Sequence, residues 1–168
     1  GLQLIRCYHE AQWPEKVLEL GHRLERQQPQ HTEVQKLVAA ASAKAEQMDS
    51  AIEGYEKLLE ANPDDIESLC QLSKLYGCKR RSDDNAIGVY VRSIEHQPEE
   101  REHYVAAIRA YGERKSWDNL QETVQRLMAQ DPAHLHQTIE LVESLIDATP
   151  KAHALRWYLI DTLIYEGR

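Results

Sequence analysis

Val17, Gly21 and Leu24 are spaced by four and three residues, and the same spacing joins Ala51, Tyr55 and Leu58, then Ala86, Tyr90 and Ser93, then Leu120, Val124 and Leu127. Such spacing puts small or apolar groups on one face of an α-helix. A second set of stripes lies between these: Leu4/Tyr8, Val38/Ser42, Leu69/Leu72/Tyr76 and Tyr104/Ala107/Tyr111. Polar and charged residues fill the positions between, and strand-type alternation is nowhere sustained. The pattern predicts an all-α protein in which both sets of stripes face a common core, with small residues allowing neighbouring helices to approach closely.

The stripes recur with a fixed period. Pro29, Pro63, Pro98 and Pro132 are 34, 35 and 34 residues apart. Proline cannot continue a helix but suits the start of the next, so each marks a helix-to-helix joint. The stretch from Asp49 to Asp65, DSAIEGYEKLLEANPDD, returns as DNAIGVYVRSIEHQPEE from Asp84 to Glu100. The one extra residue of the third unit falls in the loop CKRRSDDN, Cys78 to Asn85, whose Lys79-Arg80-Arg81 triplet reads as a solvated loop rather than the alternative, a docking site. Units are expected at about 1–31, 32–65, 66–100, 101–134 and 135–168. Helices are expected at about 134–148 and 152–166, and after 133 two registers stay open. Gly1 falls inside a first helix, so the chain reads as a segment of a longer array.

Two helices per unit, a period near 34 and the elements Ala51-x3-Tyr55…Pro63 and Ala86-x3-Tyr90…Pro98 resemble the tetratricopeptide repeat (TPR). The first half of the family pattern is degenerate: Gln35, Leu69 and Tyr104 stand at its Trp position, and Ala39, Ser73 and Ile108 at its Gly position. The resemblance implies a right-handed α-solenoid of about five helix-turn-helix units, about ten helices in all, with a concave groove lined by first helices. It also implies a scaffold or adaptor that binds another protein or peptide. Alternatives are a regulatory or substrate-docking segment of a larger enzyme, or a scaffold that self-associates through the open ends of the array.

Composition narrows these readings. The 168 residues suit one ordinary domain, rich in helix formers and free of Phe, with Tyr supplying most aromatic bulk. A net charge of −8 argues against binding nucleic acid, which needs a basic face. No run of apolar residues is long enough to span a membrane. Cys7, Cys70 and Cys78 do not form a disulfide framework, because Cys70 and Cys78 on one helix would be about 12 Å apart. Reduced thiols point to a cytoplasmic, reducing setting.

No catalytic residue, metal site or cofactor is expected, and the chain is read as a non-enzyme. Glu19-x-x-His22 and Glu100-x-x-His103 have the spacing of di-iron bundles but fall in the first and fourth units, which cannot meet in a stacked array. His9-Glu10 lacks the second His of a zinc motif, and His134 and His136 face different ways on a helix. The candidate surface lies on first helices. The resemblance suggests a carboxylate clamp, but in register the chain offers Lys36 and Ala40, then Gln71, then Glu102 and Ala106, so only Lys36 matches. A different stripe remains: Arg6, Lys74 and Arg109 share one position with Ala40, and Lys36 lies near. With Gln71, these define the expected partner-binding face, one that would favour an acidic or phosphorylated segment. The competing account is that these cations pair with Glu67 or Glu113. Glu33, Glu67 and Glu102 are expected to serve helix dipoles. Trp13 and Trp117 are expected to pack where the two helices of a unit join, the alternative being an exposed binding hot spot.

Overall fold

The structure is a computed structural model describing residues 1–29, 31–130 and 135–147. Among these it contains nine helices and no strand. The predicted helix at 152–166, Pro132 and Pro150 lie outside the described residues. Two compact units divide the chain after Tyr76. In the first are α1 (Leu2–Glu10), α2 (Pro14–Gln27), α3 (Thr32–Lys44), α4 (Met48–Ala61) and most of α5 (Ile66–Cys78). In the second are α6 (Asp84–His96), α7 (Arg101–Glu113), α8 (Trp117–Gln130) and α9 (Leu135–Asp147), the last matching the helix expected at about 134–148.

Within a hairpin, the first helix ends the same way each time. Gln12, Glu46 and Lys115 have φ of 56°, 60° and 58°. The amide of Trp13 donates to the Tyr8 carbonyl (3.0 Å), Gln47 to Ser42 (2.9 Å) and Ser116 to Tyr111 (2.9 Å). These six-to-one bonds, with a left-handed residue just before the donor, form a Schellman turn. The C-terminal carbonyls are satisfied and the chain reverses into the second helix. The left-handed residue is never Gly here, which is why the turn is hard to read from sequence. Arg80, with φ of 52°, follows α5 in the same way. One more residue separates Arg80 from Ala86 than separates Glu46 from Ala51, so the insertion lies where the loop was expected.

Between hairpins, a second turn repeats. The amides of Gln28, Asn62 and Gln97 close the last turns of α2, α4 and α6 on Leu24, Leu58 and Ser93, at 2.8, 2.9 and 2.8 Å. Pro29, Pro63 and Pro98 come next and stop the helix. The amides of His31, Asp65 and Glu100 then donate back to Gln28, Asn62 and Gln97, aiming the chain into the next first helix.

The stripes are where the spacing puts them, with one exception. Val17, Ala51, Tyr55, Leu58, Ala86, Tyr90, Ser93, Leu120, Val124 and Leu127 are all buried. So are Val38, Ser42, Leu69, Leu72, Tyr76, Tyr104, Ala107 and Tyr111. Leu4 was expected to face the core but is 47% exposed, and Ile5, one residue on, is fully buried. Gly21 allows close packing in the first unit: a Cβ there would lie 2.3 Å from Val38 Cγ2. In the second unit a Cβ on Gly112 would lie 3.2 Å from Leu145 of α9. Tyr55 and Tyr90 stand where the family pattern has Phe, and the hydroxyls of Tyr90 and Tyr76 find partners. Tyr90 donates to the Arg81 carbonyl (2.9 Å) and Tyr76 to Glu56. The three cysteines are free thiols, Cys70 buried and Cys7 and Cys78 exposed.

Candidate interaction surface

In the first unit, ion pairs join successive first helices side by side. Arg6 on α1 bridges Glu33 at the start of α3. Lys36, one turn further along α3, reaches Asp65 (2.8 Å) just before α5 and Glu67 (2.9 Å) in its first turn. Asp65 also accepts from the Ser68 hydroxyl (2.8 Å) and backbone, capping α5. Burial opposes ionisation of Asp65, but the Lys36 and Ser68 donors outweigh it and hold the carboxyl below its usual range. Lys36 is shifted the other way: burial would lower it, and its two carboxylate partners raise it. Glu33 is held low chiefly by its hydrogen bond from Arg6. Tyr55, buried beneath this cluster and facing Glu67, is pushed up to about 12. Glu33 and Glu67 lie in the first turns of α3 and α5, where a carboxylate favours the helix dipole, and the structure also gives them cations from the preceding hairpin.

The five predicted residues therefore divide. Arg6 and Lys36 are tied to carboxylates within the first unit. Gln71 is exposed on α5, one turn beyond Glu67, and Lys74 is half-buried on the same helix. Arg109 lies on α7 of the second unit, half-buried, with no salt bridge to Glu113 among the described residues. The face across α1, α3 and α5 is thus one of alternating charges.

Two further surfaces lie outside the predicted partner-binding face. A cleft of about 390 Å³ runs between the second helices α2 and α4, floored by Val38, Ala39, Ser42 and Gly54. Its rims carry His22 with Glu25 (3.2 Å) and Lys57 with Glu53 (2.6 Å). Its sequence signal is the run of small residues, since a Cβ on Gly54 would sit 3.0 Å from the Ala39 methyl. The other surface is apolar. Trp13 stacks on Tyr8 with ring centroids 6.1 Å apart, the side-chain contact that accompanies a Schellman turn, yet it stays 57% exposed. Tyr8 and Leu4 are one helical turn apart on α1, so an apolar edge runs from Leu4 to Trp13. Trp117 is half-buried as the first residue of α8.

No group of three or more His, Cys, Asp or Glu side chains among the described residues is placed to hold a metal ion. Glu19 bridges Lys16 (3.1 Å), and His22 is taken by Glu25. His136 pairs with Glu140 on α9 (3.0 Å), while His134 lies outside the described residues. No described helix is long and apolar enough to cross a membrane.

Paired helices with a repeated turn, stacked through small residues, define a helical-hairpin repeat protein. No family model and no curated protein matches the chain. Solved structures do. MamA AMB-1 superposes with a TM-score of 0.72 at 14% identity, over 99% of this chain and 98% of that one. The structure titled MamA 41-end from Desulfovibrio magneticus RS-1 gives 0.68 at 15%, over 95% of each chain. A thermophilic TPR protein in Thermus thermophilus gives 0.51 at 16%, over 97% of each. At such identities the likeness speaks for the fold, and the fold is that of the tetratricopeptide repeat.

Proposed function

We propose that this chain is a protein–protein interaction scaffold whose first-helix face in the first unit, with Arg6, Lys36, Gln71 and Lys74, receives a segment of a partner protein. The observation that carries this reading is the pair of bridges, Arg6–Glu33 and Lys36–Asp65/Glu67, which set α1, α3 and α5 side by side with their polar residues outward. An acidic partner would be read by exchange, its carboxylates replacing Glu33 and Glu67 as acceptors. Glu67 is 72% exposed, and pairs of that kind contribute about 0–1 kcal/mol, so little is lost when they open. The test is affinity capture from the source cell with the wild type and the Gln71→Glu/Lys74→Glu variant, each first shown folded by circular dichroism. A partner held by the wild type and released by the variant supports the reading. A partner held equally by both removes this face from it.

A second reading, self-association, has its own observation in the exposed Leu4 and Trp13, joined by the half-buried Tyr8. Equivalent positions in later hairpins, Val38, Leu72 and Ala107, are 8%, 1% and 0% exposed. Light scattering of the wild type and of Leu4→Ser/Trp13→Ser distinguishes the two: a dimer lost in the variant supports self-association, and monomers throughout exclude it.

A further inference from the structure

Arg80, Arg81 and Arg109 line one small cleft of about 10 Å³ in the second unit, room for a single water-sized group, over a floor that includes Gly77 and Ala106. The floor stays low because both residues are small; a Cβ on Gly77 would already approach the Ala106 methyl to 3.2 Å. The three arginines come from separate places in the chain, two from the loop after α5 and one from the middle of α7. Arg81 Nε donates to Asp83 at 2.8 Å. No carboxylate among the described residues bridges Arg80 or Arg109. This sets Arg109 apart from Arg6 and Lys36, whose charges the first unit spends on its own carboxylates.

The loop that carries Arg80 and Arg81 is held in place. Tyr90 donates to the Arg81 carbonyl at 2.9 Å. Asp83 caps α6 by accepting from the Ala86 amide at 3.1 Å. Arg114 reaches the Ser82 carbonyl and Asp84. The left-handed φ of Arg80, 52°, ends α5 with its amide on the Gly77 carbonyl at 3.1 Å. Two guanidinium groups with no carboxylate partner among the described residues, on a braced loop and a rigid helix, beside a cleft the size of one oxygen, form a receptor for an anion with several acceptor oxygens.

We propose that Arg80 and Arg109 bind the phosphate of a phosphorylated Ser or Thr on a partner segment. This rests on the reading of the chain as a protein-binding scaffold and adds the chemistry of what is bound. A phosphate monoester suits the pair better than a carboxylate does, because its three terminal oxygens can accept from two guanidinium forks at once while the ester oxygen leads back to the peptide. Glu113, on the same cleft and unbridged, opposes any anion there and sets how tightly the site holds one.

The probe is the peptide acetyl-Gly-Ser-Gly-amide phosphorylated on Ser, titrated into the full chain and followed by backbone amide shifts. Its unphosphorylated form, the Ser→Glu peptide and inorganic phosphate are run alongside. The phosphopeptide is expected to shift the amides of Gly77, Arg80, Ala106 and Arg109, and the unphosphorylated peptide to leave them unmoved. Arg80→Gly, chosen because Gly suits the left-handed backbone, and Arg109→Gln should each weaken binding by about tenfold to a hundredfold. Lys16→Gln, an exposed cation of the first unit outside either proposed surface, should leave it unchanged, and Glu113→Gln should tighten it. Absence of shifts at these amides overturns the proposal, as does undiminished binding in the Arg80→Gly/Arg109→Gln variant. Equal affinity for the Glu peptide, or for inorganic phosphate, also overturns it, the first by making the site a carboxylate reader and the second a free-anion site. If a cellular partner is captured equally by the wild type and the double variant, the scaffold reading stands and this one falls.

Discussion

Substituting Gly21 by Ala should destabilise the protein, although the same change elsewhere in a helix stabilises one. Replacing Gly by Ala inside a helix is worth about 0.8–1.0 kcal/mol from backbone entropy alone. At Gly21 the new methyl would stand 2.3 Å from Val38 Cγ2 and 3.4 Å from Ile5 Cδ1, far inside contact distance for the first. Val38 belongs to the core cluster of Ile5, Val17, Leu20 and Ala41 and has little room to retreat. Overpacking costs about 1–3 kcal/mol, and an approach of 2.3 Å puts Gly21→Ala in the upper half of that range, so a net loss of about 1–2 kcal/mol is expected. Thermal unfolding should show a midpoint lower by about 2–8 °C. Gly88 is the control: it is exposed on α6 and no atom lies within 4 Å of an added Cβ, so Gly88→Ala should raise the midpoint. Combining Gly21→Ala with Val38→Ala should turn the effect of the first change favourable, because the clashing methyl is gone. The double-mutant cycle should then give a coupling of about 1–3 kcal/mol. A Gly21→Ala protein at least as stable as the wild type, or an identical effect in both backgrounds, would refute the packing argument.

Glu46→Gly should raise stability by up to about 1 kcal/mol in urea unfolding, because a left-handed φ of 60° costs a side chain more than Gly loses in entropy. Asp83→Ala should cost about 0.5–2 kcal/mol, the cap on α6 being its bond from the Ala86 amide. Asp65 has its pKa depressed in the folded state, so its contribution is present at neutral pH and is lost as pH falls through that depressed value. Between pH 7 and about pH 3 the wild type should therefore lose more of its urea stability than Asp65→Asn does. An equal loss in both would mean that Lys36 and Ser68 do not favour the ionised carboxylate.

Much of the fold was legible along the chain. The stripes at spacings of four and three named the buried face of every second helix from α2 to α8, because a helix can bury only one side and that side must be small or apolar. The prolines named the joints between hairpins, because proline lacks the N–H that would continue a helix. The exception at Leu4 arises because period alone does not say which neighbour covers a position; Ile5, one residue along, is the side chain that the α2–α3 packing encloses. The Schellman turns at Gln12, Glu46 and Lys115, and the left-handed Arg80 after α5, went unread, since none of these residues is Gly and nothing in their composition announces a left-handed φ.

The candidate surfaces were less legible, for a reason of range. The period determined which residues share a position, so Arg6, Lys74 and Arg109 could be grouped without coordinates. Whether a grouped cation is free depends on partners such as Glu33 for Arg6, and Asp65 and Glu67 for Lys36, which lie 27 to 31 residues away. Sequence determined that this is an all-α array of helical hairpins, because helix faces and breakers are local and repeat with the chain. Only the tertiary structure decided which charges are neutralised, which glycines hold helices close and where two arginines stand without a carboxylate partner among the described residues. Those properties belong to side chains brought together by packing, and a Coulomb interaction or a steric clash depends on distance in space rather than distance along the sequence.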